Sequence, residues 1–313
     1  MIFTLTPNPS IDRSLTVPEI SFNNVIRVQK VRLDWGGKGF NVSRSLKEFG
    51  IESMVIAWVG GGSGKMLADG IQSMGIPTDF VWVEQNTRTN TLIFESQSDW
   101  RVKVNEPGPH ITSDDIDQML LKVQTNARKG DIWLLSGSLP LDVPEDFYAD
   151  LIMLLKSRGA LVYLDANGNP LRYGCEAVPT LVKPDPKEAA KIVGFSIEDI
   201  EDAKRAALPF LRMGISFFAL SLNNDKELLL ASQRKMVHAV APKLICRNAT
   251  GAGDALFAGL LYAQMQEMEL VEVARWAVAT AAASMETEGV SVFNIDRIKS
   301  LLQDVDSKII NIL

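Results

Sequence analysis

Ile132-Trp133-Leu134-Leu135 is a short apolar run; the turn Ser136-Gly137-Ser138-Leu139-Pro140 follows it, then residues 147–156 with apolar positions at helical spacing, then Leu161-Val162-Tyr163-Leu164. Strand, helix and strand in that order predict parallel strands covered by a helix. The rhythm recurs on both sides. Residues 54–59 precede a helical run through residues 66–74, and residues 180–182 and 216–220 are further buried-strand candidates, each followed by polar or turn residues. The expected fold is therefore α/β, with a mostly parallel central sheet and a ligand site beyond the carboxyl ends of its strands.

Two segments break this rhythm. Residues 13–33 alternate around Val28, Val31 and Leu33, and residues 88–104 around Leu92, Phe94, Val102 and Val104. Alternation of period two predicts antiparallel strands. We read them as a small β-sheet lid, contributed by about 13–33 and 88–106, projecting from a single domain that spans 1–313. An edge hairpin without a part in catalysis is the alternative reading. No internal repeat, low-complexity tract or Pro/Ser linker divides the chain.

Composition narrows the function classes. Hydrophobic residues make up 46% of the 313 and charged residues 22%, which supports a sizeable core and excludes disorder as the default. No apolar stretch reaches the roughly 20 residues that span a bilayer, and no basic segment followed by an apolar one opens the chain. A membrane partner is not expected, and a cytoplasmic location is. Lys plus Arg number 32 against 38 for Asp plus Glu, a net charge of −6, with no basic block to follow a polynucleotide. Nucleic acid is disfavoured as a partner. Cys175 and Cys246 stand far apart without Cys-x-x-Cys spacing, so neither a disulfide framework nor a zinc site is indicated.

Three glycine-rich stretches differ in weight. Gly60-Gly61-Gly62-Ser63-Gly64-Lys65 fails as a P-loop, because Val59 and Met66 occupy places that need Gly and Ser or Thr. It reads as a flexible strand-to-helix turn, or as backbone that approaches a substrate closely. The dinucleotide fingerprint Gly-x-Gly-x-x-Gly fails after both Gly37-Lys38-Gly39 and Gly251-Ala252-Gly253. Asn248-Ala249-Thr250-Gly251-Ala252-Gly253-Asp254 carries more, since it opens an apolar helix whose unpaired N–H groups and positive dipole end suit phosphate charge. Asp254 is then either an ordinary first-turn acid that caps the helix or a general base beside a phosphate pocket. Gly36-Gly37-Lys38-Gly39-Phe40-Asn41-Val42 feeds a second helix, where Lys38 and Asn41 are suited to an anionic, hydroxylated ligand.

Taken in order, five motifs resemble the ribokinase-like sugar kinases, also called PfkB carbohydrate kinases: Thr6-Pro7-Asn8-Pro9-Ser10-Ile11-Asp12, residues 36–41, Ser136-Gly137-Ser138-Leu139-Pro140, Lys183-Pro184-Asp185-Pro186-Lys187-Glu188, and residues 251–254. The opening motif, the Gly-Gly-Lys-Gly turn and Asn105-Glu106-Pro107-Gly108-Pro109 resemble the phosphosugar branch, meaning 1-phosphofructokinase and tagatose-6-phosphate kinase. The resemblance implies a three-layer α/β/α domain and an ATP-dependent kinase of a ketohexose monophosphate, with fructose 1-phosphate first and tagatose 6-phosphate second. A catalytically silent sugar-phosphate sensor on the same fold is the rival.

The resemblance also implies roles. Asp254 matches the catalytic base, and the N–H groups of Gly251, Ala252 and Gly253 its anion hole. Asp12 matches the residue that grips sugar hydroxyls; Gly37, Lys38, Asn41, Arg88 and Ser138 match the rest of the sugar-phosphate pocket. In that reading Lys38 and Arg88 offset the substrate phosphate. Lys183 and Glu188 match positions around the nucleotide phosphates and Mg²⁺, and Ser221 and Thr250 match nucleotide-side positions. Arg27 matches a residue that reaches the neighbouring subunit's sugar phosphate in homodimers joined through the lid.

Two positions depart from the family pattern. Asp185 stands where relatives carry Asn, adding a charge beside the triphosphate that Mg²⁺ would screen; Asp185 and Glu188 are the expected metal ligands. Asn223 stands where relatives commonly have Gly, and Asn tolerates a left-handed backbone best after Gly. His110 and His238 look isolated, without a paired carboxylate, and read as structural. Trp276 with Ala277, Ala281 and Met285 reads as helix core.

Overall fold

The computed structural model describes residues 1–98, 100–247, 249–287 and 293–311. Asn248, at the head of the C-terminal glycine turn, lies outside the described residues. From the N-terminus run β1 (Ile2–Leu5), β2 (Ser10–Val17), β3 (Lys30–Gly36), α1 (Lys38–Glu48), β4 (Ser53–Ile56), β5 (Trp58–Gly60), α2 (Gly61–Ser73), β6 (Val81–Val83), β7 (Arg88–Glu95) and β8 (Arg101–Val104). There follow α3 (Ser113–Asn126), β9 (Ile132–Ser136), α4 (Phe147–Ser157), β10 (Leu161–Asp165), α5 (Gly168–Glu176), β11 (Leu181–Val182), α6 (Pro186–Val193) and α7 (Ile200–Arg212). The last stretch holds β12 (Phe217–Leu222), β13 (Glu227–Ser232), β14 (Lys235–Val240), α8 (Ala252–Met265), α9 (Leu270–Met285), α10 (Ile295–Leu302) and β15 (Asp306–Asn311).

The large sheet has the order β15-β14-β13-β12-β11-β10-β9-β1-β4. Pairing is parallel from β12 to β4 and antiparallel from β12 to β15. The antiparallel end follows from short connections. Residues 223–225 between β12 and β13 all take positive φ, and only two residues separate β13 from β14, so these strands must fold back as hairpins.

Along the central strands alternate side chains enter opposite cores. Trp133, Leu135, Val162, Leu164 and Phe218 pack with α3, α4 and α7, while Leu134, Tyr163 and Ala219 pack with α1, α8 and α9. That period-two division gives helices on both faces and hence three layers, a ribokinase-like α/β/α architecture. The apolar run 54–59, expected as one strand, divides at Ala57. β4 joins the large sheet, and β5 pairs with β6 in a small two-stranded sheet. Residues 60–64, read from sequence as a flexible turn, are instead the end of β5 and the first turn of α2. Gly61 at φ 61° makes that abrupt change of direction.

A separate four-stranded sheet has the order β3-β2-β7-β8. Within each segment the strands are antiparallel, as the alternation predicts. Between the segments β2 and β7 run parallel, which no local pattern in the sequence shows. Their register sets Ser10 beside Arg88 and Asp12 beside Asn90, so residues 78 positions apart share the base of one face.

Candidate active site

The carboxyl ends of the parallel strands deliver the site. β10 ends on Asp165, β11 ends just before Lys183, β9 just before Gly137 and Ser138, and β1 just before Thr6. Facing them, the glycine turns open α1 and α8. Gly251, the residue before α8, has φ 82°, a left-handed conformation that costs a residue with a Cβ roughly 1–2 kcal/mol. It brings Asp254 into the first helical turn, where the positive end of the helix favours an anion.

Asp254 is buried and accepts a hydrogen bond from Asn41 Nδ2 to its Oδ2 at 2.7 Å. No side-chain hydrogen bond caps α8, so Asp254 is not spent as a helix cap. Burial pushes its carboxyl up to about 7; Lys38, Asn41 and Lys183 pull the other way, and Asp165 pushes it further up. Asp165 is fully buried too, yet lies below the usual carboxylate range. Burial alone would raise it, but Lys38, 2.5 Å from its Oδ1, and Lys183 outweigh that effect. Lys38 is held charged: losing water works against its charge, and Asp165, Asp254 and Glu188 more than offset the loss. Two neighbouring carboxylates are thereby driven apart, one held below the usual carboxylate range and one raised to about 7, which is the arrangement that separates a counter-ion from a proton acceptor.

A second cluster lies at the base of the four-stranded sheet. Asn90 Nδ2 donates to Asp12 Oδ1 at 2.9 Å and to Ser10 Oγ at 3.0 Å, and Ser10 Oγ donates to Asp12 Oδ1 at 2.8 Å. Arg88 donates to Glu106 O at 3.2 Å, and burial lowers its pKa against the pull of Asp12 and Glu106. Asn8 Nδ2 reaches Pro107 O at 2.8 Å and Ser138 Oγ at 3.4 Å. Arg44 on α1 donates to Trp35 O and, at 3.5 Å, to Asn41 Oδ1, with Asp34, Asp12 and Asp254 around it. Asn8 Oδ1, Arg44 Nε, Arg88 Nε, Asn90 Oδ1 and Ser136 Oγ are buried with no hydrogen-bond partner among the described residues. Buried polar atoms are seldom left unpaired, and their concentration around Asp12, Asn41 and Ser138 marks a place that a polar ligand completes.

On the far side of Asp254, Asp185 is the N-cap of α6. Its carboxylate accepts from Glu188 N at 2.8 Å while Glu188 Oε2 accepts from Asp185 N at 2.9 Å, a reciprocal capping box. Burial raises the Glu188 carboxyl, with Asp185 and Asp165 adding to the rise. Asn223 adopts φ 50°, the left-handed conformation that Asn accepts in place of Gly, and its side chain donates to Glu227. A Cβ on Gly253 would lie 3.4 Å from the Asp225 carboxylate and 3.5 Å from Lys183 Nζ, so both groups converge on the glycine turn. Ser221 is buried near the end of β12. Among the described residues no group of three or more His, Cys, Asp or Glu forms a metal cage. A hard cation such as Mg²⁺ is commonly held by one or two carboxylates plus phosphates. Glu188 and Asp165, coupled to each other beside Lys38, fit that donor set.

Several expected residues stand differently from the sequence reading. Lys38 and Arg88, expected together on one phosphate, are set apart: Lys38 belongs to the Asp165–Asp254 cluster and Arg88 to the Asp12–Glu106 cluster. Ala252 N–H turns back to Ala249 O at 3.2 Å, which leaves Gly251 and Gly253 as the better anion donors of the turn. Thr250 lines the same cavity as Asp12. Gly37 is the N-cap of α1, in the place its turn predicts. Arg27 is exposed on the connection between β2 and β3, and no contact joins it to the Asp254 cluster. Both histidines do have carboxylate partners, contrary to the sequence reading: His110 Nδ1 lies 2.5 Å from Asp142 and His238 Nε2 3.2 Å from Glu227. The partners are far off in sequence or across a hairpin, so spacing could not reveal them. Asp165, Asn90 and Arg44 were missed. Asp165 had a signal, a carboxylate ending an apolar strand at the edge where ligands bind.

Between the four-stranded sheet and the large domain lies a cavity of about 1130 Å³, lined by Asp12, Asp34, Asn90, Arg247 and Thr250 among others. Several known proteins resemble this chain over nearly its whole length. The chain is 30% identical over 288 residues to the 1-phosphofructokinase of Bacillus subtilis (strain 168), covering 92% of this chain and 93% of the relative. It is 27% identical to the tagatose-6-phosphate kinase of Staphylococcus epidermidis, covering 98% and 99%. A solved Thermotoga maritima structure, described as a possible 1-phosphofructokinase, superposes with a TM-score of 0.89 at 27% identity, over 99% of this chain and 100% of that one. The pfkB family carbohydrate kinase pattern matches residues 8–297. The chain belongs to the pfkB family of carbohydrate kinases.

Proposed function

We propose that this sugar kinase moves the γ-phosphoryl group of ATP to a free hydroxyl of a ketohexose monophosphate, with fructose 1-phosphate as the first acceptor and fructose 1,6-bisphosphate as the product. The observation that carries the reading is Asp254: buried, titrating at about 7, held by Asn41 and set in the first turn of α8. A base with that pKa takes a hydroxyl proton at neutral pH. Curated relatives named 1-phosphofructokinase and tagatose-6-phosphate kinase support the acceptor class. Tagatose 6-phosphate is the second acceptor, because in the furanose ring a C1 phosphate with a free C6 hydroxyl, turned end for end, resembles a C6 phosphate with a free C1 hydroxyl.

In this mechanism Asp12 accepts from the sugar hydroxyls, and Ser138 and the amides of Asn8 and Asn90 complete the hydroxyl pocket. Asp254 removes the proton from the attacking oxygen. The N–H groups of Gly251 and Gly253, with Lys38 and Lys183, meet the charge that spreads over the migrating phosphoryl group. Asp165 keeps Lys38 charged and in place. Ser221, Asn223 and Thr250 border the nucleotide path. When bound, Mg²⁺ would neutralise phosphate oxygens, and Glu188 with Asp165 would hold it; Asp185 retains one oxygen outside its capping box. The four-stranded sheet acts as a lid that excludes water from the transfer. Its outer face exposes Val31, Leu33, Val102 and Val104, an apolar surface that a second copy of the chain would cover, bringing Arg27 toward the partner.

A coupled assay for ADP release against a panel of phosphosugars tests this reading. Turnover of fructose 1-phosphate above all others supports it. Sugar-phosphate binding without ADP release would replace the kinase with a sensor.

A further inference from the structure

Arg44 follows Asn41 by three positions on α1, so the two side chains share one face of the helix. Three carboxylates act on its guanidinium: Asp34 of β3, Asp12 of β2 and Asp254 of α8. Each of them is bonded elsewhere. Asp34 accepts from Arg32 at 2.8 Å, Asp12 from Ser10 and Asn90, and Asp254 from Asn41. The hydrogen bonds that Arg44 makes among the described residues go instead to two carbonyl oxygens, from Nη2 to Trp35 O and from Nη1 to Asn41 Oδ1 at 3.5 Å. A cation among acids that gives its donors to amide oxygens is placed to orient them. Its planar fork fixes the two directions at once, which the point charge of Lys does not.

The far anchor of the fork is rigid. Trp35 stands next to last in β3, and its indole packs so closely on α2 that a Cβ on Gly70 would lie 2.1 Å from the ring. That packing holds the Trp35 carbonyl, and Arg44 carries the constraint to Asn41. Asn41 needs one, because a carboxamide has an oxygen and an NH2 group of nearly equal shape. Turned one way, Asn41 donates to Asp254; turned the other, it presents an oxygen, which opposes an ionised carboxylate and suits a protonated one. With Asp254 raised to about 7, both of its forms are populated near neutrality, so Asp254 does not choose the orientation by itself.

We propose that Arg44 is a positioning residue for phosphoryl transfer: by drawing Asn41 Oδ1 toward itself it turns Asn41 Nδ2 to Asp254 and holds the base ready for the acceptor hydroxyl. The proposal rests on the sugar kinase reading and adds the residue that orients the base. Because Trp35 belongs to the small sheet and Arg44 to the large domain, the same fork ties the lid to the base.

The test is Arg44→Lys, which keeps a positive charge among the acids but not the fork, made alone and together with Asn41→Ala. Loss of one hydrogen bond to a charged group predicts a kcat with fructose 1-phosphate lower by roughly tenfold, with KM changed less than about threefold. In the Asn41→Ala background the same change should lower kcat by less than about twofold, because the amide through which it acts is gone. An unchanged kcat, a loss confined to KM, or losses that multiply in the double variant overturn the proposal and leave the kinase reading standing. A second measurement needs no turnover. The side-chain NH2 of Asn41, identified in proton–nitrogen spectra by its absence from Asn41→Ala, should exchange with solvent about tenfold faster in Arg44→Lys than in the parent. If the parent turns over no sugar phosphate, the kinase reading fails separately, and this exchange decides the role of Arg44: the faster rate upholds it, and an unchanged rate overturns it.

Discussion

Asn41 donates its side-chain amide to Asp254 at 2.7 Å, so the first glycine turn holds the carboxylate of the last across 213 positions of sequence. The bond favours the ionised form of Asp254 against the burial that raises it. Replacing Asn41 with Ala removes that support. The acid limb of the kcat–pH profile is expected to move to higher pH, with activity recovering in part above pH 8. A profile superimposable on the parent's would separate Asn41 from the base.

Lys38 and Asp165 should move the same limb in opposite directions. Lys38 lowers the Asp254 carboxyl and Asp165 raises it. Lys38→Met is therefore expected to shift the limb up and Asp165→Asn to shift it down, both with reduced turnover. Shifts of the same sign would contradict the charge arrangement described for the cluster.

The raised carboxyl of Asp254 also has a stability consequence. Its ordinary value is 3.8 and its folded value about 7, so the folded state binds the proton more tightly. The charge carries no penalty below about pH 4; the relative stability is lost as pH rises through 7 and stays lost above. Asp254→Asn should thus raise the melting temperature at pH 8 and leave it nearly unchanged at pH 4, the stability gain that often accompanies loss of a catalytic group. Equal melting temperatures at pH 8 would show that the carboxylate is not strained by burial.

Asp185 and Glu188 cap one helix but differ in what else they face. Asn caps as well as Asp, so Asp185→Asn should leave stability within a few tenths of a kcal/mol, whereas Asp185→Ala should cost about 1 kcal/mol in urea denaturation. The Glu188 carboxyl also feels Lys38 and Asp165. Glu188→Gln is accordingly expected to raise the free Mg²⁺ needed for half-maximal activity several-fold, and Asp185→Asn to change it less than about twofold. The reverse order in a Mg²⁺ titration would move the metal to Asp185.

The central sheet was legible because buried parallel strands are continuous apolar runs and the helices between them carry a one-sided stripe. What the sequence hid was pairing across distance. The division at Ala57, the parallel union of β2 with β7, and the carboxylates beside His110 and His238 are each decided by tertiary register. The glycine turns and Asp254 were visible because backbone conformation restricts those positions to few residue types. Asp165 was missed because a strand's last residue looks like the start of a loop.

Turnover of Asp254→Asn with saturating ATP and fructose 1-phosphate, measured beside calorimetric binding of the sugar phosphate, tests the role of Asp254 most directly. Loss of a general base predicts a kcat lower by roughly 10²–10⁴ with binding within about threefold of the parent. A variant that keeps more than about half the parent turnover would contradict the account and leave Asp254 as a buried acid with no part in the reaction.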